Sequence, residues 1–249
     1  MNADEQKLRV EIADKWRVQV IASLRNYGLQ PDLKKDTEDL YLQLLHFQRR
    51  CVEARKRTIY EAKELTCPTD LKEGYSAFKQ KVEDGADLVP HLSTRIEKLK
   101  TRDHLLNDWG VHHFHLGLAP KPDQPSFMER TGNLLFALVR REAFYAIGFW
   151  HHQFEDAEVL KVIQKNWPQL LESDRCKGIV GMENPNITAD EIRQLRQAGI
   201  MTLHQVGNQV FFPPGGGFTS TGDNAQDVLL LDKTLHVLNL LPGPTEERS

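Results

Sequence analysis

The sequence predicts an α+β protein, with an N-terminal helical region packed on a small antiparallel β-sheet and a C-terminal helix–hairpin–helix element. Three observations carry this. Apolar residues recur at helical spacing from Glu5 to about Leu106, short aromatic and β-branched runs replace them from Asn107 to Leu171, and a capped helix followed by a glycine turn comes next. The boundaries so drawn are 1–106, 107–172 and 173–249.

In the first region Leu8, Ile12, Trp16, Val20 and Leu24 share one face of a first helix, and Leu40, Leu44, Phe47, Cys51 and Ala54 one face of a second. Tyr27-Gly28 and Gln30-Pro31-Asp32 break the chain between them. A third and a fourth helix are expected at Leu71 to Val82 and His91 to Leu106, divided by Gly85 and Pro90.

The second region reads as three strands: Val111 to Leu116, Leu134 to Val139 and Phe144 to His152. Lys121 to Gln124, among Pro120, Pro122 and Pro125, reads as a loop, and Arg140-Arg141-Glu142 as the turn joining the last two strands. A helix follows, with Asp156 as N-cap, Val159, Leu160, Ile163 and Trp167 inward, and an end near Pro168. In the third region Thr188-Ala-Asp-Glu191 is a capping box, stapled by Ile187 and Ile192, that opens a helix to Ala198 with Gly199 as its stop. Ile200 to Val206, Gly207-Asn208 and Gln209 to Phe212 read as a hairpin, and a last helix runs from about Ala225 to Leu240.

Composition excludes several classes. With 249 residues, 40% hydrophobic and 27% charged, the chain is long enough to bury a core without a metal or disulfide staple. A net charge of −3 argues against coating nucleic acid or an anionic membrane through bulk charge. Cys51, Cys67 and Cys176 are far apart and form no CxxC pair, which predicts a reducing compartment. The opening MNADEQKLRVEIADKW has no apolar core of a secretory signal, and no apolar run approaches a membrane span, so the expected localisation is cytoplasmic.

Chemistry is expected between His104 and His152. His104, His112, His113, His115, His151 and His152, six of the ten histidines, fall there. At a strand's side-chain period of two, His113 and His115 project from one face of the first strand, about 7 Å apart. That separation suits two hands on one phosphate or a shared metal. The metal alternative, zinc or iron, would use His113, His115 and one of Asp108, His151 or His152. There is no HExxH, however, and Pro120 and Lys121 stand where a cupin-type glutamate would follow. The alternative without cofactors is RNA cleavage, with histidines as general base and acid and an arginine on the phosphate. Arg130, before Thr131-Gly132 at the entrance of the second strand, is the arginine best placed, while Arg140 and Arg141 decorate a turn.

The segments Arg130-Thr-Gly-Asn-Leu-Leu-Phe-Ala and Tyr145-Ala-Ile-Gly-Phe-Trp-His151-His152 resemble the sheet core of the RelE and HigB group of toxin ribonucleases. In that group an arginine-led apolar strand precedes a strand ending in a basic pair. The resemblance covers about a quarter of the chain and is one of element order. It implies a toxin-like endoribonuclease. The residues themselves offer His113 and His115 as acid and base, Arg130 as phosphate clamp, and His151 or His152 as the second proton-transfer group. The chain departs from the group in being longer and mildly acidic.

Two further features have two readings each. Gly215-Gly216-Gly217 through Gly222 precedes a helix and is either a phosphate cradle or a plain connection. Arg49, Arg50, Arg55, Lys56 and Arg57 form either a solvated face or a contact for RNA or an acidic partner. A third function class is a non-catalytic prophage or defence protein that grips a protein partner through its long N-terminal helices.

Overall fold

A computed structural model of the chain describes residues 3–99, 103–151, 157–179, 181, 188–198 and 200–239. The fold is α+β. It divides into two compact units, residues 1–49 with 223–249, and residues 50–222, so neither division falls at 106 or 172. Among the described residues no helix is long and apolar enough to cross a membrane.

The first unit holds α1 (Ala3–Asn26), most of α2 (Thr37–Arg50) and α7 (Ala225–Asn239). Gly28, at φ 74, follows the end of α1 where the Tyr27-Gly28 break is expected. Only the C-terminal half of α1's apolar stripe is well buried: Val20 and Leu24 are enclosed, while Leu8 is exposed. Trp16 meets Tyr41 edge-on at 5.4 Å, and Tyr27 meets Phe47 at 4.9 Å. Arg49 Nε donates to Asp227 at 3.1 Å.

The second unit is built on a four-stranded sheet in the order β1-β6-β5-β2. Its strands are β1 (Thr58–Glu61), β2 (Val111–Phe114), β5 (Leu134–Val139) and β6 (Ala143–Trp150). The three expected strands pair antiparallel, β2 with β5 and β5 with β6. The sequence reading missed β1, which adds parallel to β6, with Tyr60 opposite Tyr145. Strand β2 stops at Phe114, short of the expected Leu116, because the His115 N–H turns away to the His91 carbonyl at 2.7 Å. The expected loop at Lys121 to Gln124 is instead the tip of a separate hairpin, β3 (Pro120–Lys121) with β4 (Gln124–Met128).

One helix covers each face of this sheet. On one side lies α3 (Lys72–Asp84), where Phe78 touches Phe114 at 5.0 Å and Phe144 at 5.7 Å, and Tyr75 meets Phe149 at 5.2 Å. This is the part of the N-terminal helical region that packs on the sheet. On the other side α5 (Ala157–Asn166) sends Val159, Leu160 and Ile163 into a core with Val111, Leu134, Phe136, Leu138 and Ile147. Trp109 and Phe211 complete that core. The assignment of Asp156 as N-cap lies outside the described residues.

A bulge alters the expected faces. Phe136 pairs with Gly148 but Ala137 with Ala146, so Ile147 is the extra residue. Strict alternation puts Tyr145 and Trp150 on opposite faces, yet both pack against the α5-side core. Phe144 and Phe149 correspondingly share the α3 side.

The fourth expected helix does not form. Pro90 confines the chain to a 3₁₀ turn at Val89–His91, a second runs over Thr94–Glu97, and α4 occupies only His104–Trp109. Further on, the capping box is present: the Thr188 N–H and hydroxyl both donate to Glu191 Oε2 at 2.8 Å, and the Glu191 N–H returns to Thr188 Oγ1 at 3.3 Å. It opens α6 (Ala189–Gln197). Ile187 and Gly199 lie outside the described residues. The hairpin β7 (His204–Val206) and β8 (Gln209–Phe211) turns at Gly207 and is shorter than expected.

The basic stretch at Arg49 to Arg57 is largely structural. Arg50 is buried and donates to the carbonyls of Arg95 and Lys98, both at 3.2 Å, while Arg55 pairs with Glu142 at 2.8 Å. The buried Arg57 donates to the carbonyls of Arg140, Glu53 and Arg55 at 2.9, 2.9 and 3.0 Å, tying the entrance of β1 to the β5–β6 turn. Arg57→Met keeps the stem but strands three carbonyls and is expected to cost about 3 kcal/mol in urea unfolding. A loss below about 1 kcal/mol would show that these bonds add little beyond packing.

Candidate functional site at the end of the sheet

The histidine-rich stretch folds into several different environments. His112, half-buried on β2, lies near the ring of Phe114 at 6.1 Å. His113 takes the opposite face, 6.0 Å from the ring of Phe136. Its Nδ1 lies 4.0 Å from Oδ2 of Asp103, whose other oxygen caps α4 by accepting the Leu106 N–H at 3.0 Å. His104, exposed at the start of α4, rests 5.5 Å from the ring of Phe218.

His115 is buried and serves the backbone. Its Nδ1 accepts the Thr131 N–H at 3.2 Å. Sequence spacing offered it as an acid or base beside His113, and the structure instead encloses the ring and engages its Nδ1 with the backbone, so it does not meet a substrate through that atom. Beyond Thr131, the carbonyl of Gly132 lies 3.0 Å from Nδ1 of the exposed His151. The loop from Arg130 to Asn133 is thus fastened to His115 at one residue and to His151 at the next, and the exposed Arg130 precedes both anchors. Inside the loop, Thr131 Oγ1 donates to the Asn133 carbonyl at 2.7 Å and accepts the Leu116 N–H at 3.4 Å.

The structure therefore brings His115, Arg130 and His151 to one loop. His113 belongs to the preceding part of the same strand end, with Asp103 as its carboxylate neighbour. The candidate His152 lies outside the described residues. Asp108, offered as a metal ligand with His113 and His115, is buried in α4. Among the described residues no three His, Cys, Asp or Glu side chains gather as a ligand set.

A gap left by the sequence reading is the support behind this loop. His91 is buried, with Nδ1 2.7 Å from the His115 carbonyl and Nε2 2.9 Å from Lys81 Nζ. Burial, reinforced by the Lys81 charge, pushes the imidazole down to about 4. A lone histidine in Val-Pro-His gives no local signal of this role. Asp103 also went unnoticed, although its cap position before an apolar pair is visible in the sequence.

The glycine-rich loop is a connection. The Gly215 N–H donates to the Asp108 carbonyl at 2.9 Å and the Gly217 N–H to that of Asn107 at 2.8 Å, so these donors close the C-terminal end of α4 and do not face a phosphate. A Cβ on Gly215 would stand 2.2 Å from the Leu106 carbonyl oxygen, which is why glycine is required there.

Fold and site together define an α+β protein that presents an arginine-bearing loop, fastened by two histidines, at one end of a mixed sheet. The chain matches no known family model, no curated protein and no solved structure.

Proposed function

We propose that the protein is a metal-independent endoribonuclease whose reacting groups stand around the Arg130 loop. The observation that carries this is the exposed His151 with Nδ1 on the Gly132 carbonyl. A carbonyl only accepts, so Nδ1 carries a hydrogen and Nε2 is left to exchange a proton with a ligand. The same loop carries Arg130, a permanent cation suited to two phosphate oxygens. The resemblance of two segments, Arg130 to Ala137 and Tyr145 to His152, to the RelE and HigB ribonucleases in element order supports the same reading.

In this reading His113, with Asp103 beside it to offset the charge it acquires, takes the proton of a ribose 2'-hydroxyl. O2' then bonds to phosphorus, Arg130 offsets charge on the non-bridging oxygens, and the P–O5' bond breaks. Protonated His151 gives its Nε2 proton to O5'. The products are a 2',3'-cyclic phosphate and a 5'-hydroxyl end, with no net consumption of protons. His115 acts behind the loop as a positioning residue.

Cleavage of a labelled single-stranded RNA in excess chelator is expected to yield cyclic phosphate ends. His151→Gln and His113→Gln are each expected to slow it by about 10²–10⁴-fold, and Arg130→Ala by about 10²–10³-fold. Dependence on added metal, or cleavage indifferent to both histidine changes, would overturn the proposal.

A further inference from the structure

We propose that Lys81 and His91 are positioning residues for the Arg130 loop, holding it through His115 in one particular pattern of ring tautomers. As a role in catalysis this rests on the ribonuclease reading; as a bonding arrangement it does not.

The hydrogen-bond roles follow from chemistry at each end. A lysine ammonium can only donate, so Nε2 of His91, 2.9 Å from Lys81 Nζ, is the nitrogen with the lone pair. The hydrogen is then on Nδ1 and is donated to the His115 carbonyl at 2.7 Å. The His115 N–H returns to the His91 carbonyl at 2.7 Å. Two bonds to one residue thus fix the backbone of His115 and the direction of its ring.

That ring accepts the Thr131 N–H on Nδ1, so the neutral His115 carries its hydrogen on Nε2. Thr131 passes the constraint to Asn133 and Leu116, and Gly132 passes it to His151. From α3 to the last residue before the site's far side, one assignment of protons on the two buried rings satisfies every bond. A second proton on His91 would turn Nε2 into a donor facing the Lys81 ammonium, and one on His115 would do the same against the Thr131 N–H.

The surroundings of His91 favour the neutral ring. Lys81 and the Phe78 ring, 5.0 Å away, face it from α3, Asp87 lies beyond the helix end, and the His115 backbone closes the strand side. The hydrogen bond to the His115 carbonyl and, more weakly, Asp87 pull toward the charged form, and burial with the Lys81 charge outweighs them.

Long-range proton–nitrogen spectra of the unaltered protein test the tautomers directly, with hydrogen expected on Nδ1 of His91 and on Nε2 of His115. The opposite tautomer on either ring would overturn the proposal. For the coupling to the loop, His91→Phe keeps the ring contact with Phe78 but removes both polar bonds, whereas His91→Asn puts an amide N–H in the place of Nδ1. Amide exchange at Thr131 is expected to quicken about tenfold or more in His91→Phe, with the β5 and β6 amides unchanged, and to stay within about threefold of native in His91→Asn. Unchanged Thr131 exchange in His91→Phe, or equal acceleration in both variants, would sink it. The turnover number on RNA should fall in His91→Phe and recover in His91→Asn. If spectra and exchange behave as expected while the protein cleaves no RNA, the ribonuclease reading fails and the bonding arrangement stands. If RNA is cleaved but Thr131 is indifferent to His91, the positioning role alone fails.

Discussion

Gly74→Ala is expected to destabilise the protein by about 3 kcal/mol, although the same change in an exposed helix stabilises by roughly 1 kcal/mol. Helix propensity therefore predicts the wrong sign here. Gly74 lies buried in the first turn of α3, and a Cβ on it would stand 2.0 Å from the carbonyl oxygen of Leu116 and 3.1 Å from its carbonyl carbon. The obstacle is backbone, and it cannot retreat easily. Leu116 follows His115, which is bonded in both directions to His91, and the Leu116 N–H reaches Thr131.

For a chain of this length the loss corresponds to roughly 6–12 °C in melting temperature. Gly132→Ala provides the contrast: no atom lies within 4 Å of its would-be Cβ and its φ is not positive, so a change within about 0.5 kcal/mol is expected. Thermal unfolding of the two variants decides the matter. A rise in melting temperature for Gly74→Ala would show that α3 does not press on the strand end as the structure has it.

The same close approach explains what the sequence could and could not disclose. The core of α5, the capping box of α6 and the span of β5 are written in local periodicity and fold as read, while β6 runs over Ala143–Trp150 and stops short of the expected His152. Strand β1 is four residues, Thr58–Glu61, directly after a basic run, and it joins β6 across more than eighty residues of sequence, so nothing local announces it. The bulge at Ile147 is similarly silent, because alternation in Tyr-Ala-Ile-Gly-Phe-Trp looks regular until the partner strand sets the register.

Around the Arg130 loop, residue type singled out the histidines but not their different surroundings. Spacing alone made His113 and His115 equivalent. Their separation into a half-buried ring beside Asp103 and an enclosed ring holding Thr131 depends on His91, which arrives from another turn of the chain. Arg57 shows the same limit from the opposite direction, since an arginine among arginines reads as surface and is instead enclosed by three carbonyls.

Acid should unfold the protein partly through His91. An imidazole titrates near about 6.5 in an unfolded chain. In the folded protein, burial and the Lys81 charge lower it to about 4. Between those values the unfolded chain binds a proton that the folded one does not, so stability falls as pH drops through this window and is unaffected by this group above it. The full contribution is about 3 kcal/mol. Glu61, held low by the Tyr75 hydroxyl at 2.6 Å and by Lys79, adds its own loss only at lower pH, below the ordinary carboxylate value. Asp174, pushed up by burial, acts with the opposite sign.

Comparison with His91→Asn cancels both carboxylates, since an amide leaves them in place and does not titrate. Urea unfolding at about pH 7, 5.5 and 4.5 should therefore show the two proteins converging in stability as the solution is acidified, the native chain losing most of its contribution from His91 by the lowest value. Parallel curves would mean that His91 is not neutral in the fold. Because the protonated ring can no longer accept from Lys81, acid also attacks the support of the Thr131 amide. Protection of that amide should therefore weaken in the native chain only as the pH nears about 4, where the folded ring takes up its proton, and weaken less in His91→Asn.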